Sequence, residues 1–408
     1  MSPIVVALAV VIALVGHGIF WFGVVNRIHS WAGPRPVVDG LTLGSFLAAA
    51  TLPLATAWEL WPGSRQLPEL WATPATWAGW YAWGCLVIGA ATLAVKPLLE
   101  TRRYDPRVQR AHTSETTDVA AALGHRPLSG LRAEICDVFP WNEALTLSVD
   151  LRQLEIPRLP PELERLTIAH LSDLHMTGQI GLGFYEKVVE HVDALRPDVV
   201  AITGDIVEVE ACWPWLAPTL GQLTAPLGVY FILGNHDEFV DPNQTRRILA
   251  EAGLVCLSGR TLRSEWNGVP VVLFGNESPW LPPAPDLATL APRGEDPQFR
   301  LALLHTPDQF GWSERADVDL ALAGHTHGGQ VQLPLLGPIA SPSRHGARYA
   351  CGVFRRGATV LHVTRGVAGK TPLRWRCPPE IALLELTGPR STKTAPAASD
   401  PRQSAPSR

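Results

Sequence analysis

Five short polar blocks stand in order along the middle of the chain: Asp173-Leu174-His175, Gly204-Asp205, Gly234-Asn235-His236-Asp237, His305, and Gly324-His325-Thr326-His327. Their side chains are carboxylates, imidazoles and one carboxamide, with no thiolate. Such a donor set suits two divalent ions such as Mn, Fe or Zn. Two ions held ~3.5–4 Å apart can clamp a phosphate and share a hydroxide that attacks phosphorus in line. Asp205 is the natural bridge, because it follows an apolar run and Gly204 lets the backbone come close. Asp173 and His175 lie two apart in an extended stretch and share a side. With His327 they are expected to hold the first ion, and Asn235, His305 and His325 the second. His236 is left over, placed to protonate a leaving oxygen or to stabilise phosphoryl charge.

Taken singly, these blocks are weak signals, since Gly-Asp and Asn-His-Asp are common in turns. Their ordered combination is strong, because the glycine-flanked His325-Thr326-His327 stretch fills no core. Other histidines take blander readings. His170 lies inside a predicted strand and reads as a hydrogen-bonded neighbour, and Asp237 as a residue that orients others. His345, with Arg344 and Arg348 nearby, reads as a solvated loop rather than a phosphate-contacting trio.

Each block follows an apolar, β-rich run, such as Leu166 to Leu171 or Val199 to Thr203. The candidate ligands therefore sit at strand ends, where loops of α/β sheets gather into sites. Helical stretches, such as Tyr185 to Leu195 and Thr245 to Ala252, alternate with the strands and give an α/β pattern over residues 165–387. Residues 111–129 read as a polar linker within a leading segment, 111–164. In that segment Leu145, Leu147, Val149 and Leu151 alternate as the buried face of a strand. A proline-rich insert, Glu277 to Pro297, carries Trp280 and Leu281 and reads as a lid, a lipid-contacting loop or a surface excursion. The tail, 388–408, is expected to be disordered.

The first 110 residues differ in kind. Ser2 to Asn26, Gly40 to Trp58 and Trp71 to Val95 contain no Asp, Glu, Lys or Arg. Each is about the ~20 apolar residues needed to cross a bilayer. Three membrane helices are expected, near 3–26, 41–60 and 76–98. Trp21, Trp31, Trp58, Trp61, Trp71, Trp77, Trp80 and Trp83 cluster near their ends, as indoles do at headgroups. Lys96, Arg102, Arg103, Arg107 and Arg110 follow the third span, against Arg65 alone between the second and third. Basic residues are retained inside, so the amino terminus is expected outside and the catalytic part in the cytoplasm, as an integral multi-pass membrane protein. Six scattered cysteines fit reduced thiols. Residues 111–408 hold 26 Lys/Arg against 33 Asp/Glu, a poor balance for general nucleic-acid binding.

At the five blocks the chain resembles the calcineurin-like metallophosphoesterase superfamily, whose D-x-H, G-D, G-N-H-[DE], H and G-H-x-H pattern is matched in full. The stretches His170 to His175, Gly324 to Gln330, and Arg365-Gly366-Val367 through Ile381 look like its membrane-associated bacterial phosphodiesterase branch. That resemblance implies a four-layer α-β-β-α sandwich, a dinuclear metal centre and hydrolysis of phosphoester or pyrophosphate bonds. Some relatives cleave a lipid-linked nucleotide sugar, UDP-2,3-diacylglucosamine, so the expected partners are the membrane and a phosphoester substrate that is lipid-linked. A phosphoprotein phosphatase or a nuclease could use the same site, and a non-catalytic membrane sensor could keep the fold. The acidic domain weighs against the nuclease, and the intact ligand set with His236 against the sensor.

Overall fold

The computed structural model describes residues 2–60, 76–100, 104–290, 292–293 and 298–389. The tail from 390 onward, Arg65, Arg102, Arg103, Trp61 and Trp71 lie outside the described residues. Three long helices come first: α1 (Pro3–His29), α2 (Arg35–Leu60) and α3 (Trp77–Glu100). All three are long and apolar enough to cross a membrane. α2 begins earlier than the uncharged run suggests, since Pro36 suits a first helical turn and Arg35 and Asp39 lie within the helix. Helices α1 and α3 meet backbone to backbone: a Cβ on Gly16 would lie 1.8 Å from the Cys85 carbonyl oxygen, and one on Gly89 2.0 Å from that of Ile12. Small residues permit this approach where lipid offers helices no hydrophobic drive to associate. His17 ties all three helices, with Nδ1 2.6 Å from the Tyr81 hydroxyl and Nε2 2.9 Å from the Ala49 carbonyl.

Two mixed sheets follow. The first, in spatial order, contains β1 (Gln109–Asp118), β2 (Thr146–Glu155), β15 (Glu380–Thr387), β3 (Thr167–Leu171), β4 (Val199–Thr203), β5 (Val229–Ile232) and β6 (Val255–Cys256). The second contains β13 (Gly352–Arg356), β14 (Thr359–Val363), β10 (Leu320–Ala323), β9 (Phe299–Leu304), β8 (Val269–Asn276) and β7 (Thr261–Trp266). A small ladder, β11 (Gln332–Leu333) with β12 (Gly337–Pro338), stands apart. Strand parity builds the layers. Ile168, Ala201 and Ile232 pack against Leu273, Leu301 and Leu322 between the sheets. Their neighbours Ala169, Leu171, Ile202 and Phe231 face the helix Leu182–Leu195 through Phe184, Tyr185 and Val188. On the far side, Phe274, Leu304, Ala323 and Val363 meet Phe310 and Trp312. The result is the α-β-β-α sandwich, with β3, β4 and β5 parallel in one sheet and β8, β9, β10 and β14 parallel in the other.

The leading segment differs from its sequence reading. Residues 109–118 form an edge strand paired with β2 along its length, not a linker, and Val108 is already buried. The folded domain thus begins close behind α3. Leu131–Asp137 is helical, and β2 is covered on both faces: Leu147 joins the core as its alternation suggests, but Leu151 is 38% exposed and the opposite face buries Ser148, Asp150 and Arg152. Arg152 bonds both Asp150 (2.5 Å) and Glu380 of β15 (2.9 Å), and Arg365 lies 3.2 Å from Asp150. Mutual neutralisation lets four charges occupy an interior on the face that the alternation rule assigns to solvent.

Candidate metal centre

Loops after β3, β4, β5, β9 and β10 converge at the shared edge of the two sheets. The loop after β3 keeps pairing with that after β4, since Asp173 N–H donates to Gly204 O and His175 N–H to Asp205 O, both at 2.9 Å. At Gly204 the backbone is left-handed, and a Cβ would lie 2.7 Å from His305 Nδ1. Asp173, His175, Asp205, His325 and His327 also have positive φ, between 45° and 69°. Such backbone costs of order 1–3 kcal/mol per residue and persists only where surroundings impose it. Asp237 is one source of that constraint: its carboxylate accepts from the N–H groups of Ile206 (2.9 Å), Val207 (3.0 Å) and Gly234 (2.7 Å).

The candidate ligands fall into two adjoining groups. In the first, His175 Nε2 lies 3.1 Å from His327 Nε2 and 3.5 Å from Asp205 Oδ2, and His327 Nε2 lies 3.7 Å from Asp173 Oδ1. In the second, His305 Nε2 lies 3.0 Å from Asn235 Oδ1, 3.1 Å from His325 Nδ1 and 3.4 Å from Asp205 Oδ1. Metal–nitrogen bonds of ~2.1 Å place neighbouring ligands about 3.0–3.4 Å apart; the second group's spacings lie in that range, and those of the first run from 3.1 to 3.7 Å. Asp205 turns one oxygen to each group, and its Oδ2 is buried with no hydrogen-bond partner among the described residues. A cation answers that unpaired oxygen. The second nitrogens of three of the four histidines are engaged: Nδ1 of His175 on Glu208, of His305 on the Thr203 carbonyl (2.8 Å), of His327 on the Ala368 carbonyl (3.2 Å). That network assigns the protons to Nδ1 and leaves each Nε2 lone pair facing its group.

His236 borders the first group. Burial disfavours its charge, but the carboxylates of Asp205 and Glu208 outweigh this and raise its pKa. Glu208 is the residue sequence reading missed: one oxygen, Oε1, accepts from His175 Nδ1 and lies 3.1 Å from His236 Nδ1. A carboxylate three residues past Asp205 carries no signal until the loop folds back. Also unforeseen are Phe239, edge-on to His236 at 4.7 Å, and Arg374, fully enclosed, which donates to the carbonyls of Arg365 (2.7 Å), Ala368 and His327 (3.1 Å). Trp280 of the insert packs on His325 at 4.7 Å and His305 at 5.8 Å, and Leu281 packs against the core. This part of the insert is therefore a wall of the site. His170 is a core neighbour, bonded to His362 and Thr203 at 2.9 Å, and burial lowers its pKa to about 3.

Residues 166–329 match the family model described as calcineurin-like phosphoesterase. The chain is 31% identical over 234 residues to the uncharacterized metallophosphoesterase YkuE of Bacillus subtilis, covering 56% of this chain and 81% of that protein. It is 29% identical over 228 residues to phosphodiesterase YaeI of Escherichia coli, covering 54% and 81%. To the transmembrane protein with metallophosphoesterase domain of Danio rerio it is 27% identical over 243 residues, covering 52% and 51%. With this fold and cluster of acidic and histidine side chains, the chain belongs to the calcineurin-like metallophosphoesterases. It is a metal-dependent phosphoester hydrolase with three helices suited to a membrane.

Proposed function

We propose that the protein is a membrane-anchored phosphodiesterase or pyrophosphatase that works with two divalent ions on a lipid-linked phosphoester at the cytoplasmic face. Asp173, His175, Asp205 and His327 would hold one ion, and Asp205, Asn235, His305 and His325 the other. When bound, the ions supply Lewis acidity to the phosphoryl oxygens and acidify water. The chain's own residues do the rest. His236, whose charged form the carboxylates of Asp205 and Glu208 favour, would give its proton to the leaving oxygen. Glu208 fixes the imidazoles of His175 and His236 together, and Trp280 shields the second group from solvent.

The observation that carries the lipid-linked reading is the reach of the α1–α2 turn into the site. The Arg35 guanidinium lies 3.7 Å over the Phe239 ring, which touches His236, and Lys370 lies 4.9 Å from the same ring. A phosphoester held in the leaflet would meet these cations beside the metal ligands. Arg27 and Arg35 at this turn, with Lys96 in the last turns of α3 and Arg107 and Arg110 after it, give the basic bias of a cytoplasmic side. Similarity to a phosphodiesterase supports the bond type. The test compares turnover of a lipid-linked phosphodiester or pyrophosphate in mixed micelles with that of its deacylated analogue. The acylated form should be cleaved faster, and Arg35→Ala should shrink the difference. Equal rates on both would remove the lipid-linked substrate and leave the hydrolase.

A further inference from the structure

A cavity of about 1230 Å³ lies between α1, α3 and the edge of the second sheet, lined by none of the seven candidate metal ligands nor by His236. Beyond the Gly16–Gly89 contact the two helices line one end of it with apolar side chains: Ile19 of α1 and Ala91, Val95 and Leu99 of α3. The catalytic domain lines the other end with Arg348, Arg355 and Arg356, beside Lys96 at the close of α3. Two of these cations are matched, Lys96 by Glu100 at 3.0 Å and Arg356 by Glu314 at 3.1 Å. Arg348 lies over the Tyr349 ring at 5.3 Å, and Arg355 donates to the Gly357 carbonyl at 2.8 Å. Neither has a carboxylate within ion-pair distance among the described residues. The cavity thus joins an apolar slot between membrane helices to two cations without a close ion pair, with Asp105, whose carboxylate feels Arg355 at longer range, also on its wall, and its volume exceeds the ~300–1,000 Å³ of a usual small-molecule pocket.

We propose that this cavity holds one anionic membrane phospholipid, its phosphate on Arg348 and Arg355 and an acyl chain between α1 and α3. The site is separate from the metal centre and does not depend on what the hydrolase cleaves. A basic residue near an anionic surface contributes ~1 kcal/mol, about fivefold in affinity, and bound lipid would join the membrane helices to the catalytic domain. A free phosphate shares the headgroup chemistry but has no use for the apolar end.

The full chain would be placed in nanodiscs of phosphatidylcholine containing phosphatidylglycerol, extracted in mild detergent, and its retained lipid read by native mass spectrometry. One phosphatidylglycerol should remain on the wild type in preference to phosphatidylcholine. Arg348→Glu/Arg355→Glu should lower retention at least tenfold while leaving hydrolysis of bis-p-nitrophenyl phosphate unchanged, which also reports a folded domain. Ala91→Trp, which fills the apolar end and keeps the cations, should lower retention too, and millimolar inorganic phosphate should fail to displace the lipid. Equal retention of both lipids, or an unaffected double variant, would overturn the site. Displacement by inorganic phosphate together with an inert Ala91→Trp would make it an anion site and overturn the lipid assignment.

Discussion

The membrane helices and the sandwich use the same apolar residues against opposite surroundings. In α1–α3 the large side chains face outward, with Ile4, Leu54 and Trp58 80, 71 and 85% exposed, and the contacts within are glycines, His17 and Tyr81. In the sandwich leucines and isoleucines are inside, and polar groups collect at the strand ends and along β2. Burial of apolar surface cannot hold helices together in lipid, so specificity there rests on close packing and a few hydrogen bonds. In water the apolar layers supply the rigidity, and that lets Asp173, His175 and Asp205 be held in strained backbone for chemistry. Substitutions should therefore separate cleanly: at the polar edge they remove activity, inside the sandwich they remove stability, and where the two regions touch they change coupling.

The largest effect is expected at Asp205, which faces both ligand groups. Asp205→Asn should lose bound metal, measured by elemental analysis, and hydrolysis of bis-p-nitrophenyl phosphate should fall to background. Full turnover of the wild type in excess chelator would remove the metal-dependent scheme. His236→Gln should retain metal and lose roughly 10²–10⁴-fold in turnover, the usual contribution of a positioned acid. Leaving groups that need no proton should suffer less; a uniform loss would argue for charge stabilisation alone.

Stability should respond most at the buried ion cluster. Burial pushes the Glu380 carboxyl up, but Arg365 and Arg152 pull it well below the usual range. A carboxylate depressed in the folded state stabilises above its unfolded pKa of ~4.3, and that contribution is lost as pH falls through the folded value. Glu380→Gln should cost about 3–5 kcal/mol at pH 7 by leaving two buried guanidiniums to share the single carboxylate of Asp150, and should flatten the loss of stability on acidification. Denaturant midpoints at pH 7 equal to the wild type would contradict it. At Glu208, Glu208→Gln should lower metal affinity or turnover by about 10–100-fold, as loss of a residue that orients a ligand does. An unchanged metal titration and rate would reduce Glu208 to a bystander.

How much of this was legible follows from the kind of signal. Asp173, His175, Asp205, Asn235, His305, His325 and His327 announce themselves because each ends an apolar run, and apolar runs report strands. The parity of β3 and β4 predicts two covered faces, hence layers. Glu208, Phe239 and Arg374 do not announce themselves, since their partners come from loops distant in sequence and only folding decides which carboxylate meets His236. Alternation misled only in part at β2: Leu147 is buried as expected, but nothing local shows that Asp150 and Arg152 on the other face are buried too, because their counter-charges, Arg365 and Glu380, lie over 200 residues away. Residues 111–118, the start of the expected linker, looked like one because an edge strand exposed along most of its length needs no apolar face.

The smallest effect tests the join between the two regions. Asn26, buried near the end of α1, donates from Nδ2 to the Ile339 carbonyl at 2.9 Å and accepts from the Ser341 N–H at 2.7 Å, as a strand neighbour would. Asn26→Ala leaves a backbone donor and an acceptor without partners, at roughly 1–3 kcal/mol for a buried group. That cost falls on a local opening rather than on the sandwich, so the global melting transition should not move. Hydrogen exchange at the Ser341 amide should accelerate by about 5–150-fold, the range those energies imply, while bis-p-nitrophenyl phosphate is hydrolysed at the wild-type rate. Asn26→Asp keeps the acceptor for Ser341 and loses the donor to Ile339, so its Ser341 amide should stay protected. Unchanged exchange in Asn26→Ala would mean that α1 and the catalytic domain are not coupled through this side chain, and the division between membrane region and sandwich would be sharper than their contact suggests.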